Sequence, residues 1–299
     1  MKFTKWLCAA DSHGDQIDPL AERAFFEFND YWKPDHKIHM GDAFDFRWLR
    51  KNASEQETRE RTTADLEMGK DFLAKFQPDV YLLGNHENRL WNAAMSDDGK
   101  LADLASRFIV EIKEKIPNTV ILPYDKREGI HQWGDRRFLH GFSAGIYAVR
   151  NTTMVYGKMA MAHVHAFDSF TVADLDHTDG HSSGCLMKVS QKYNASHMNT
   201  LKQNNGWLYG LKFEDGTTHV WRAERVKGTF ILPSEFKEIR YAERNDGGAG
   251  CVSGSTGAEI ESGGGDGAGI GGATGHESPD RALSPARDDP GGEGQARRS

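Results

Sequence analysis

The apolar run Trp6 to Ala10 stops abruptly at Asp11. A short apolar run closed by a polar residue predicts a buried strand over Phe3 to Ala10. Asp18 followed by Pro19 predicts a helix start, with a capping carboxylate and proline at the first helical position. Leu20, Ala24, Phe25, Phe28 and Trp32 then recur at helical spacing. A second strand is predicted near Lys37 to Met40, running into Gly41-Asp42. Ser54 and Glu57 form a capping-box pattern that opens a long charged helix towards Phe76. A third strand, Val80 to Leu83, ends at Gly84. Leu101, Leu104, Phe108, Ile109 and Ile112 mark an amphipathic helix that Pro117 stops.

Strand and helix thus alternate over the first 122 residues, the pattern of a largely parallel sheet covered by helices. Beyond residue 165 the elements shorten. Trp207 to Phe213 and Thr217 to Ala223, joined at Asp215-Gly216, predict a hairpin with a two-residue turn. The expected fold is a mixed α/β sandwich whose second half is more antiparallel.

Composition changes this picture at one place. From Asn245 to Ser299, 55 residues hold 16 of the 32 glycines and no Phe, Tyr or Trp. Such a segment buries too little apolar area to offset its chain entropy. The expected organisation is a folded domain over 1–244 and a disordered Gly-rich tail over 245–299. The whole chain of 299 residues carries a net charge of -7. That balance lacks the basic excess of a typical nucleic-acid-binding domain. No apolar run reaches the roughly 18 residues of a membrane span, so no membrane partner is expected. Cys8, Cys185 and Cys251 lie far apart, which argues against a disulfide framework or a cysteine metal site and fits a cytoplasmic location.

The candidate chemistry sits at strand ends, where open α/β sheets bind their ligands. Five ends carry oxygen or nitrogen donors after an apolar run. They are Asp11-Ser12-His13, Gly41-Asp42-Ala43-Phe44-Asp45, Gly84-Asn85-His86-Glu87, His140-Gly141 and Ala162-His163-Val164-His165. Each alone is a weak signal; five in series are hard to obtain by accident. Imidazole and carboxylate donors without thiolate suit Mn, Fe, Zn, Co or Ni, and the donors outnumber what one ion requires. A carboxylate can bridge two ions about 3.5–4 Å apart, a geometry that clamps phosphate.

This series resembles the calcineurin-like metallophosphoesterases, whose pattern runs D-x-H, G-D-x-x-D, G-N-H-[DE], a lone His and G-H-x-H. The resemblance covers roughly residues 3–225; Ala162 replaces the last motif's glycine. Gly84 to Leu90, with Arg89, is similar to phage and prophage members. The resemblance implies a four-layer sandwich of mixed β-sheets flanked by helices, holding two divalent metal ions. Asp42 would bridge them. Asp11, His13 and His165 would complete one site, and Asn85, His140 and His163 the other. His86, oriented by Asp45, would be a non-ligand group beside the leaving oxygen. The implied activity is hydrolysis of a phosphate ester, a phosphodiester by preference, by a metal-activated hydroxide, with a nucleic acid or nucleotide among the substrates left open. A phosphomonoesterase or phosphoprotein phosphatase, and a catalytically dead scaffold of the same fold, are the alternatives.

Other residues read less sharply. Arg89 serves either as a donor to a substrate phosphate or as a surface ion pair. Phe44 and Phe46 are expected in the core. Arg47, Arg50 and Lys51 are expected on a solvated helical face, Asp15 as an outer hydrogen-bond acceptor, and Asp174 to His181 as a polar loop. Cys8 is expected to be a buried, inert thiol.

Overall fold

The computed structural model describes residues 2–55, 57, 62–189 and 201–231. The chain divides into two units, Met1–Glu238 and Ile239–Ser299. The second, including the segment expected to be a disordered tail, lies outside the described residues.

The first unit holds two mixed sheets flanked by helices, the arrangement expected from the sequence. The larger sheet has seven strands in the order β12-β11-β10-β1-β2-β3-β4. These are β1 (Phe3–Ala9), β2 (His36–His39), β3 (Val80–Leu82), β4 (Val120–Leu122), β10 (Gly206–Phe213), β11 (Thr218–Val226) and β12 (Thr229–Ile231). The smaller has five, in the order β5-β6-β7-β9-β8: β5 (His131–Trp133), β6 (Arg136–Leu139), β7 (Met159–Met161), β8 (Asp168–Thr171) and β9 (Asp179–Ser182). β1 to β4 run parallel, and β10 joins β1 antiparallel with Trp6 opposite Gly210. β6, β7 and β9 are also parallel.

Side-chain alternation with a period of two builds the layers. Trp6, Cys8, Ile38, Met40, Val80 and Leu82 face Phe138, Ala160 and Ala162 between the sheets. Their neighbours in sequence face outward. Leu7 and Ala9 meet Phe25, Phe28 and Phe76 of helices α1 (Pro19–Trp32) and α2 (Thr63–Phe76). Tyr81 and Leu83 meet Leu90 and Ile112 of α3 (Asn85–Ala93) and α4 (Gly99–Lys115). On the far side, Leu139, Met159 and Met161 pack on Ala148 and Val149 of α5 (Ala148–Tyr156). Helix, sheet, sheet and helix make four layers.

The local signals act as the sequence implies. Asp18 Oδ1 accepts the Leu20 and Ala21 amides at 2.9 and 3.1 Å, capping α1. Ser54 and Glu57 exchange their capping-box hydrogen bonds; residues 58–61, on the way to α2, lie outside the described residues. The β10–β11 connection differs from expectation. Phe213 and Thr217 are already hydrogen-bonded, so three residues form the turn, with Gly216 at φ +88. Glycine in that left-handed position is what a three-residue hairpin loop requires.

Candidate metal centre

The carboxyl ends of β1, β2, β3, β6 and β7 all open on one side, and each donor-bearing segment follows one of them. Backbone bonds lace these segments together. Asp11 N–H donates to the Gly41 carbonyl (3.0 Å), His13 N–H to Asp42 (3.0 Å) and Ala162 N–H to His140 (2.9 Å). The side chains therefore converge from five places in the sequence.

Two groups of three donors form, each with ligand atoms within 4.8 Å of one another: Asp11, His13 and His165, and Asp42, His140 and His163. Asn85 Oδ1 stands 3.2 Å from His140 Nε2, beside the second group. Asp42 Oδ2 lies between the two, 3.3 Å from His140 Nε2 and 3.9 Å from His13 Nε2. The seven donor side chains thus meet in one place, with Asp42 in the second group and Asn85 beside it. A third group, His13, Asp45 and His86, overlaps the first.

The backbone is bent to make this possible. Asp11, His13, Asp42, His163 and His165 all have φ between +51 and +71. A left-handed conformation costs a non-glycine residue about 1–3 kcal/mol and persists where the surroundings enforce it, often at functional sites. Two glycines make room. Gly41, at φ +98, would bring a Cβ within 2.5 Å of His140 Nδ1; Gly84 would bring one within 2.0 Å of Asp42 Oδ1.

The donor set fits divalent cations. Asp11 Oδ1 is buried and receives no hydrogen bond; His165 Nε2 is 3.5 Å from it. His13 Nε2 and His165 Nε2 face each other at 3.3 Å. A buried carboxylate oxygen without a donor is costly in a protein and ordinary in a metal site.

Electrostatics follow from the crowding of Asp and His. Burial pushes the Asp42 carboxyl up, but His140, His86 and His13 outweigh it and hold it well below its ordinary value. Burial lowers His140, yet Asp42 and Asp11 raise it to about 9; its Nδ1–H donates to the Met40 carbonyl at 2.7 Å. His163 goes the other way, to about 4, through burial and the neighbouring His140 charge.

His86 is held from outside the groups. Its Nδ1 is 2.9 Å from Asp45 Oδ1 and 2.7 Å from the Asp45 carbonyl. Arg89 Nη1 also lies 3.3 Å from Nδ1, but the two acceptors are nearer, so Nδ1 is assigned the proton and Nε2 points inward, 3.7 Å from Asp42 Oδ2. Burial lowers this imidazole, but Asp42 and Asp45 more than compensate and raise it. Arg89, one helical turn further on, donates to the Asp45 carbonyl at 3.3 Å.

Three residues contribute in ways the sequence reading did not assign. Glu87 is fully buried and accepts the amides of Asp42 (3.0 Å), Phe44 (3.1 Å) and Gly84 (2.8 Å). Asp65 on α2 accepts those of Asp45 (2.9 Å) and Phe46 (2.7 Å). The segment 42–46 hangs on these two carboxylates. Glu87, at the third position of α3, was signalled by its place in the helix start. Asp65 sits in a charged helix with no such signal. The third is Arg47, which turns inward rather than lying on a solvated face. Phe44 and Phe46 are core residues, stacked at 5.1 Å.

No family model matches the chain, and no curated protein matches it. Among solved structures it is similar to a single mutant of Vps29 from Entamoeba histolytica (TM-score 0.42, 10% identity, covering 76% of this chain and 96% of that one). It is also similar to a metallophosphoesterase from Sphaerobacter thermophilus (TM-score 0.40, 13% identity, 75% and 89%). A third is Yfce, a phosphoesterase from E. coli (TM-score 0.35, 13% identity, 71% and 89%).

Proposed function

We propose that this protein is a metal-dependent phosphoesterase that hydrolyses a phosphodiester with two divalent ions. One observation carries the reading: seven donor side chains from five strand ends converge, six of them around the buried Asp42, and five of the seven sit on left-handed backbone.

Asp11, His13 and His165 would hold one ion, and Asn85, His140 and His163 the other, with Asp42 shared. When bound, divalent ions neutralise phosphoryl oxygens as Lewis acids and make water acidic enough to act as a nucleophile. The chain's own residues do the rest. Glu87 and Asp65 fix the loop on which Asp42 and Asp45 ride. Asp45 holds the Nδ1 proton of His86; in the charged imidazolium, which Asp42 and Asp45 favour, a second proton on Nε2 faces the site and can pass to the leaving oxygen, leaving the neutral Nδ1–H ring. Asp45 acts through His86 and is a positioning residue; His86 is the catalytic acid. Arg89 steadies the Asp45 carbonyl and lies within one helical turn of His86, where its guanidinium can reach a substrate phosphate.

Turnover of bis-p-nitrophenyl phosphate against p-nitrophenyl phosphate, with Mn added, tests the reading. Preference for the diester is expected. A strong preference for the monoester would move the assignment to a phosphomonoesterase. Fewer than one bound ion per chain and no turnover would leave a scaffold.

A further inference from the structure

Asp45 has two carboxylate oxygens, and the site described above uses only one of them. Oδ1 meets His86 Nδ1 at 2.9 Å. Oδ2 accepts a hydrogen bond from Arg47 Nη1 at 2.8 Å. Arg47 Nη2 donates in turn to both oxygens of Asp15, at 2.8 and 2.6 Å. Asp15 follows His13 by two residues and also accepts from Gln16 Nε2 at 3.2 Å. The line Asp15–Arg47–Asp45–His86 joins the turn after β1 to the start of α3.

The local backbone makes the line possible. Phe46 adopts φ +43, which turns the chain so that residue 47 returns over Asp45. The Arg47 side chain is 19% exposed, and those of Asp15 and Asp45 are 24% and 13%. Charge-assisted bonds in such a half-buried place are stronger and more directional than surface pairs.

Asp45 also has a competing partner. His13 Nδ1 lies 3.9 Å from the same Oδ1 that serves His86, and these three residues form a metal-type group of their own. A carboxylate held only by an imidazole is free to rotate about its Cβ–Cγ bond and turn towards His13. A guanidinium on its second oxygen removes that freedom.

We propose that Arg47, backed by Asp15, is a positioning residue that keeps Asp45 committed to His86 and out of the metal group. It touches neither metal nor substrate; it fixes the tautomer and direction of the imidazole that does. The proposal rests on His86 being the acid for the leaving oxygen.

The test uses the full-length, Mn-supplemented protein with Arg47→Ala, Arg47→Lys, His86→Ala and the Arg47→Ala/His86→Ala pair. Diesters with good and poor leaving groups are compared, for example bis-p-nitrophenyl and diphenyl phosphate. Loss of an outer partner of this kind costs about 10–100-fold in activity. Arg47→Ala is expected to lower kcat by that amount on the poor leaving group and by less on the good one, with KM and metal content unchanged. Arg47→Lys should recover part of the loss. The double variant should be no slower than His86→Ala. The imidazole Nδ1–H signal of His86, assigned by its absence in His86→Ala, should be visible by NMR in parent protein supplemented with diamagnetic Zn or Mg in place of Mn, and broadened by Arg47→Ala. Multiplicative losses in the double variant, equal losses on both leaving groups, or an unaltered imidazole signal would each overturn the proposal. A parent protein inactive on every ester would overturn the phosphoesterase reading, while the imidazole signal would still decide whether Arg47 holds His86.

Discussion

At the carboxyl ends of β1, β2, β3, β6 and β7, acidic and imidazole groups are packed against one another on left-handed backbone. At the opposite ends of the same strands, buried charges are closed on themselves. Arg136, at the start of β6, is 2% exposed. It donates to Thr218 Oγ1 (3.1 Å), the Met159 carbonyl (3.0 Å) and Asp179 Oδ1 (2.7 Å), tying β6, β7, β9 and β11 together. The Thr218 hydroxyl donates in turn to Asp135 Oδ1 (2.6 Å), whose Oδ2 also accepts from Lys158 Nζ (2.9 Å). Nearby, His36 stacks on Trp133 with ring centroids 3.9 Å apart and shares a 2.9 Å contact with His131. Both ends bury charge. One pairs it within the protein and gains a pin between the sheets; the other leaves a carboxylate oxygen without a donor, which makes sense for a site that meets cations.

The sharpest way to break this contrast is at Asp42. Asp42→Asn keeps the shape and removes the shared charge. Turnover should fall by about a thousandfold or more, because several kcal/mol of charge stabilisation depend on the ions it helps to hold. Metal content, read by elemental analysis, should fall with it. An active variant with full metal content would show that Asp42 is not a shared ligand. His86→Ala should cost about 10²–10⁴-fold, the range of a lost proton donor, with metal content unchanged. Loss of metal in that variant would instead place His86 in the group with His13 and Asp45.

The opposite end should answer in stability, not chemistry. Arg136→Ala strands Asp179, whose carboxyl the guanidinium and His181 help to hold at about 2 against the pull of burial. Breaking a buried pair costs about 3–5 kcal/mol; the lower figure applies, since the Asp179 side chain is 27% exposed. Denaturant unfolding should show that loss, with metal content per folded chain unaltered. A stability change below about 1 kcal/mol, the size of a surface pair, would show that Arg136 pins nothing.

The same contrast explains what the sequence could tell. Strands and helices were legible where burial alternates with a fixed period, as in Trp6, Cys8 and Ile38 against Leu7 and Ala9. The donor positions that converge were legible because each follows an apolar strand. What was not legible depends on pairing at a distance. Arg47 reads as one of three surface cations until Asp15, 32 positions away, is placed beside it. Asp179 to His181 reads as polar loop, yet residues 179–182 form β9. Arg136, 43 positions earlier, supplies the charge that lets Asp179 start a strand. Asp65 has no local signal because its partners are backbone amides, which every residue carries.

The smallest expected effect concerns pH and separates the ends most cleanly. Burial and the neighbouring His36 charge lower His131 to about 4, against an ordinary histidine value near 6.5. The folded protein therefore binds fewer protons at His131 than the unfolded chain does between those two values. Stability rises with pH wherever the unfolded state holds more protons. The contribution of neutral His131 is thus complete above about pH 6.5 and is lost as pH falls towards 4. His131→Gln places an amide near the position of the ring Nε2 that meets His36 and cannot take up the proton. Unfolding of the parent and this variant, followed between pH 7 and pH 4, should show the parent losing more stability over that window. Equal losses would mean that the His36–His131 contact forms equally well with a charged ring. The contact would then be an exposed pair like others on the surface, not part of the closed end of the sandwich.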